Sequence, residues 1–508
     1  MAYYLLLLTG IAVAGVYLLL TVLMHLTQHA EEPPIILSSI PFFSPIICVF
    51  RERYKLYLRL FHQYKLPIYT LRLPFTRLYL INETSLISAV EKHTKVFSFA
   101  AIEAKAMGNL LGMSEEAKAT LREDPVAEDG HFMAFHKAFR PAVSPGLGLD
   151  SMIMASARTM AASLNRTIRG GQIQVDLFQW VEHEVLLATT DAEFGPGNPF
   201  RDPEFEAAWY VFEPCVPIIA SNICPRLLAG KALAAREYLY RGFFQYLNDG
   251  RLEEASAGFH ARFGHSKQAG FSLEDIARGE IGAVLAILNN AIAAGFWMLY
   301  HIFTNPALLE ECRREVAKAV TVDGDTKTID LSIIESSCPT LHSTFHEVLR
   351  YRGVGTLLIR RVLEDHKLGN RYFLKKGGLV LMPNAVQHFN RDIWGDRVNE
   401  FQYQRFNRSA DENTKRYNPT AFRAFGGGSL LCPGRHFAIM ENLAFVSLTI
   451  LSFDIEPATG GAWAKPKTGR SLGLGVARIF VMPENNFAVN LSPREGGNQQ
   501  WRFVLPRQ

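Results

Sequence analysis

The chain has 508 residues, 48% of them hydrophobic and 20% charged, with a net charge of +4. That composition supplies a large core and excludes the disordered class. So small a charge for this length, with no Lys/Arg-rich run, excludes a dedicated nucleic-acid binder.

In chain order, residues 5–26 (LLLLTGIAVAGVYLLLTVLMHL) form a nearly unbroken apolar run, long enough to span a bilayer. No Lys or Arg precedes it and no small-residue cleavage site follows, so it reads as a retained membrane anchor over residues 1–30 rather than a signal peptide. Residues 31–50 carry Glu31-Glu32-Pro33-Pro34 and a second proline pair, Pro41 and Pro45, and read as a stiff hinge without helix or central strand. No further linker or repeat interrupts residues 51–508, which read as one large domain. Helical periodicity marks 203–212, 227–247, 308–319 and 432–451, while 67–73, 78–81, 356–362 and 379–382 are strand-like. The expected fold is mainly α with small β-sheets, a single large domain behind an N-terminal transmembrane helix. Residues 281–303 are apolar on every face, as in a second span or a central core helix. The adjacent amides Asn289 and Asn290 near the middle favour the core helix, facing a site rather than lipid. The asparagine of Asn165-Arg166-Thr167 is a chance glycosylation match, because the six scattered cysteines lack zinc or disulfide spacing and read as reduced and cytosol-facing.

The chemistry concentrates at "AFGGGSLLCPGRHFA", residues 424–438. Three glycines precede Cys432, either as a mobile linker or as a turn pressed against something bulky. Pro433 suits the first position of a helix, which makes Cys432 the cap, with free N–H groups aimed at its sulfur. Three uses compete. A nucleophile wants a base, but His436 lies one helical turn on and points away. A phosphate loop wants Gly-Lys-Ser/Thr, which is missing. A thiolate ligand to haem iron uses both the glycines and the N–H groups.

The stretch from Phe425 to Ala438 resembles the haem-binding loop of the cytochrome P450 superfamily, F-G-x-G-x-x-x-C-x-G. Glu347-Val348-Leu349-Arg350 resembles that family's E-x-x-R, residues 400–406 supply a third member, Arg405, and His388-Phe-Asn-Arg-Asp-Ile-Trp394 resembles its H-R-D-x-x-W region. The resemblance implies haem b ligated by Cys432, with Phe425 and Gly428 against the macrocycle and Arg360 on a propionate. It also implies a buried Glu347–Arg350–Arg405 network behind the haem. Two departures stand out. Leu430 occupies a position that is basic in common members, and Phe132-Met-Ala-Phe-His136 replaces W-x-x-x-R, which leaves His136 or Lys137 to substitute. The usual acid–alcohol pair falls on Asn289-Asn290, closest in style to the branch of steroid 7α-hydroxylases and prostacyclin synthase. In that role the two amides would hydrogen-bond bound oxygen or hold a water.

These resemblances imply a monooxygenase acting on a lipophilic molecule such as a terpenoid, steroid or polyketide, in secondary metabolism. They also imply an NADPH-cytochrome reductase as electron donor and a place in the endoplasmic reticulum membrane, with the catalytic domain facing the cytosol. The apolar segments 68–81 and 210–224 fit a substrate that partitions into lipid. The alternative, supported by the Asn pair, is a redox-neutral haem-thiolate isomerase or dehydratase. A non-enzymatic haem protein would be marked by loss of Cys432, Glu347 or Arg350, and all three are present.

Overall fold

The computed structural model describes residues 2–37, 39–123, 126–127, 130–250, 252–355, 358–407, 417–428, 431–468, 479–494 and 500–506. Helices dominate, and the longest, Leu273–Phe303, runs through the core. It starts eight residues before the apolar run. Ser272 caps it by accepting from the Asp275 N–H, and Glu274 and Asp275 complement the dipole in the first turn. Every residue from 291 to 300 is buried, so this is a core helix and not a second span. Asn305 then caps Pro306–Ala317, with Pro306 at its first position.

The helices Leu177–Phe194 and Arg435–Ser452 pack on the central helix, Leu147–Gly170 packs on both of them, and together they bury a common apolar core. Several of their buried polar residues pair across the packing, as Ser156 and Thr189 do with Glu441. Asn165, the sequon asparagine, donates to the Trp501 carbonyl at 2.9 Å and accepts its N–H at 2.9 Å, a structural use that occupies the amide.

One sheet has five strands in the spatial order Ile68–Leu73, Thr76–Ile81, Leu379–Leu381, Ile359–Val362, Phe97–Ser98. The first two form an antiparallel hairpin and the third joins it in parallel. Most of this hairpin is buried in the sheet and its neighbouring clusters, with Phe75 alone fully exposed at the tip. Segment 68–81 is therefore sheet core and not a substrate-facing surface. Of the strand expected over 356–362, Thr356 and Leu357 lie outside the described residues.

The hinge differs from its sequence reading in two ways. Ser44–Glu52 is helical, with Pro45 in the first turn, where its missing N–H costs nothing. Residues 31–36 are stapled to the sheet. The Thr70 N–H donates to the Pro34 carbonyl at 2.8 Å, and buried Glu32 accepts from the Tyr79 hydroxyl at 2.6 Å and pairs with Arg77 at 2.8 Å. The helix Ala2–Leu26 is exposed over most of its length, yet Met24 near its end is buried.

Candidate haem site

Cys432 sits where an extended loop turns into the helix Arg435–Ser452. The helix begins two residues later than the proline suggested: Pro433 and Gly434 form a turn, and Gly434, not Cys432, is the capping residue. The sulfur still feels what a helix start offers, because the Gly434 and Arg435 backbone N–H groups favour its charged form. Burial pushes the thiol up, while those two donors and the Arg435 charge pull the other way. The loop closes on itself through Cys432 N–H to the Phe425 carbonyl at 2.9 Å and Arg435 Nη1 to the Cys432 carbonyl at 3.1 Å. Phe425 is half-buried against the main core.

Gly426 and Gly428 have φ of +79° and +62°, a region that L side chains rarely adopt. Glu91, from the helix Thr84–Lys92, packs on this turn. A Cβ at Gly427 would lie 2.3 Å from Glu91 Oε1, and one at Gly428 would lie 3.0 Å from Glu91 Cβ. What the glycines admit on this side is a carboxylate side chain. Leu430 lies outside the described residues.

Behind the loop, Glu347, Arg350 and Arg405 meet as the resemblance implied. Glu347 Oε1 and Oε2 accept from Arg350 Nη2 and Nε, each at 2.8 Å, and Arg405 Nε lies 3.2 and 3.1 Å from the same oxygens. The Gln402 N–H adds a third donor at 2.9 Å. Glu347 and Arg350 have no exposed surface. Arg350 spends its remaining donors on the His388, Val398 and Glu400 carbonyls, so one guanidinium ties the helix Pro339–Arg352 to the segment that follows His388. His388 Nε2 accepts the Arg423 N–H at 3.0 Å, which carries the connection to the cysteine loop.

Two groups have the character of anion holders without an anion on the protein. Arg360, 6% exposed in the strand Ile359–Val362, has no carboxylate within ion-pair distance among the described residues. It donates to the Ile359 carbonyl and lies over the Phe99 ring at 5.4 Å. Burial lowers its pKa to about 10, as expected for a cation short of a partner. His136, on the helix His131–Ala142, has a buried Nδ1 with no partner, packs edge-on to Phe132 at 4.5 Å and is lowered to about 4 by burial and then by Arg140. It is therefore neutral. A haem, with two carboxylates on one edge and an iron that takes a thiolate, fits this donor set.

The structure separates the two asparagines. Within residues 281–300 of the central helix the accessible positions are Gly282, Ala283, Ala286, Ile287 and Asn290, a stripe at three- and four-residue spacing between buried faces. Asn290 lies on that stripe. Asn289, about 100° round the helix, is buried at 4% exposure. Asn290 Oδ1 accepts the Ile479 N–H at 2.9 Å, which fixes the direction of its amide. The same C-terminal segment is held by Trp297 Nε1 donating to the Val481 carbonyl at 2.8 Å and by the Val481 N–H donating to the Arg352 carbonyl.

Sequence reasoning missed Arg423 and Glu91, which lie outside the recognised motif, and the cluster of Arg352, His301 and Trp297. There the Arg352 guanidinium stacks on Trp297 at 3.7 Å and donates to His301 Nε2 at 3.3 Å. Burial holds His301 well below the usual histidine range.

Comparison with known proteins agrees with this architecture. The family model for cytochrome P450 matches residues 260–485. The cytochrome P450 monooxygenase nodJ of Hypoxylon pulicicidum is 32% identical, over 93% of this chain and 92% of its own. A cytochrome P450 monooxygenase of Gibberella zeae is 25% identical, over 97% and 95%. Among solved structures, the cytochrome P450DA heme domain superposes with a TM-score of 0.71 at 16% identity, over 92% of this chain and 99% of that one. The shared fold, the near-complete alignment to a monooxygenase at 32% identity and the matched family model together place this chain in the cytochrome P450 superfamily, as a monooxygenase that carries cysteine-ligated haem iron.

Proposed function

We propose that Cys432 is the iron ligand and that the chain is a membrane-tethered monooxygenase acting on a lipophilic small molecule. The observation that carries the reading is the half-buried Cys432 sulfur at the foot of the helix Arg435–Ser452, where the Gly434 and Arg435 N–H groups favour its charged form. Those donors disperse charge on a ligating sulfur and keep it in place. When bound, the haem supplies the oxygen-activating chemistry. Arg360 and His136 would hold its carboxylate edge, the first as a charged fork and the second as a neutral ring N–H donor. Phe425 and the glycine turn shape the loop that presents the sulfur. Asn290, oriented by Ile479, places a neutral amide on the accessible stripe, where it hydrogen-bonds a water or a polar group of the substrate and cannot itself titrate. Asn289 acts from behind as packing.

Electrons come from a separate NADPH-cytochrome reductase, one of the redox partners the family uses. Tethering by the helix Ala2–Leu26 is supported by its exposed apolar surface and by further exposed apolar side chains, among them Phe43, Ile47 and Phe50 beyond the anchor, Phe75 on the hairpin tip, and Leu227 and Leu228. These surfaces also favour a substrate drawn from lipid, with the catalytic domain on the cytosolic side of the endoplasmic reticulum. The test is turnover by the purified full chain with candidate apolar ligands, with and without NADPH and reductase. Product that requires both, and disappears in Cys432→Ala together with the thiolate-type spectrum of the reduced carbon-monoxide complex, is the expected result. Product formed without electrons would replace the monooxygenase with a redox-neutral rearrangement.

A further inference from the structure

We propose that Arg423, aimed by Glu91 across the glycine turn, is a second guanidinium anchor for the haem carboxylates. The inference rests on haem occupying the Cys432 pocket. Arg423 is 1% exposed, one of the largest fully buried side chains in the molecule. Its Nη2 donates to Glu91 Oε1 at 2.5 Å and its Nη1 to the Thr420 carbonyl at 3.3 Å. Its Nε is buried and has no partner among the described residues. A buried, unpaired N–H on a cation is costly to maintain, and a bound anion removes that cost.

The surroundings point the same way. The turn is built to let this pair in, since a Cβ at Gly427 would meet Glu91 Oε1 at 2.3 Å and Arg423 Nη1 at 3.1 Å. Arg360 is the other buried guanidinium here, and the charges of Arg423 and Glu91 both act on it. Glu91 pairs with Arg423 and no carboxylate lies within ion-pair distance of Arg360 among the described residues, which leaves one buried positive charge without a counterion. Such a charge is tolerated only when something bound neutralises it. The Arg423 backbone is pinned on both sides, its N–H by His388 Nε2 and its carbonyl by Asn384 Nδ2, so the guanidinium is presented from a fixed point. The competing role is that Arg423 only neutralises Glu91.

The experiment uses purified holoprotein and measures haem transfer to excess apomyoglobin and the ferric/ferrous potential, with the carbon-monoxide spectrum as the check on thiolate ligation. The key variant is the double substitution Glu91→Gln with Arg423→Gln, which removes the pair together and strands no protein charge. Haem loss at least about ten-fold faster and a more negative potential, with thiolate ligation intact, are expected, because a cation that favours the reduced haem has gone. Arg423→Met alone is expected to show the same, and Glu91→Gln alone to hold haem within about two-fold of wild type, which corresponds to only ~0.4 kcal/mol. Wild-type haem retention and potential in the double variant would overturn the proposal and leave Arg423 as the counterion of Glu91. If the wild-type spectrum lacked thiolate ligation, the assignment of Cys432 would fail instead, a separate result.

Discussion

Replacing Glu347 with glutamine puts the buried charge network to a direct test. Whichever oxygen becomes an NH₂ then faces donors. At the Oε2 position it would oppose Arg350 Nε and Arg405 Nε, and at Oε1 it would oppose Arg350 Nη2, the Gln402 N–H and Arg405 Nε. At least two charge-assisted hydrogen bonds are lost, each worth about 1.5–3 kcal/mol. Arg350, with no exposed surface, also loses its only carboxylate among the described residues. The three carbonyls that Arg350 holds soften this penalty but do not neutralise it. The expected destabilisation is about 3–5 kcal/mol, a large share of the ~5–15 kcal/mol that a domain has available. The assay is urea unfolding of the holoprotein, followed by tryptophan fluorescence and the haem absorption band. Haem should be lost at or before global unfolding, because the Arg350 contacts reach the cysteine loop through His388 and Arg423. Arg397→Gln breaks a surface pair with Glu400 and should leave the midpoint unchanged. A Glu347→Gln midpoint shifted by less than about 1 kcal/mol would refute the reasoning that the network is a closed, interdependent unit.

Glu441, 1% exposed in the helix Arg435–Ser452, is pushed up by burial to about 7, with the Thr189 and Ser156 hydroxyls pulling it partly back. The folded chain therefore keeps a proton that the unfolded chain releases above about pH 4.5. On this group's account, stability is greatest below that pH and falls by about 3 kcal/mol as pH rises to about 7. Glu441→Gln should flatten that slope in urea midpoints taken across the window, and an unchanged slope would refute it. Asn290→Ala should cost about 1–3 kcal/mol by stranding the Ile479 N–H, while Asn290→Asp, which keeps an acceptor, should cost less; equal melting temperatures for the two would contradict the assigned hydrogen bond. Deleting residues 2–20 should release the protein from membranes with its melting temperature unchanged. Deleting residues 2–30 should lower it, since Met24 is buried and Arg72 holds the Thr27 hydroxyl and the Gln28 side chain.

The sequence by itself determined the features that lie in contiguous residues. The cysteine loop, the i,i+3 pairing of Glu347 with Arg350, the helix 203–212 and the apolar core helix are each set by local spacing and hydrogen-bond chemistry, and each appears in the structure. Its errors came at boundaries and at contacts distant in the chain. The proline at 433 marked a turn two residues ahead of the helix, and the proline at 45 began a helix where a hinge was expected. Asn289 and Asn290 are adjacent in the sequence, yet one residue is a 100° step around a helix, so only packing could decide which amide reaches the accessible stripe. Arg423 and Glu91 lie 332 residues apart. No periodicity links such a pair. The pairing of buried Arg423 with Glu91 follows from how the helix Thr84–Lys92 docks on the glycine turn, a decision made by tertiary packing alone.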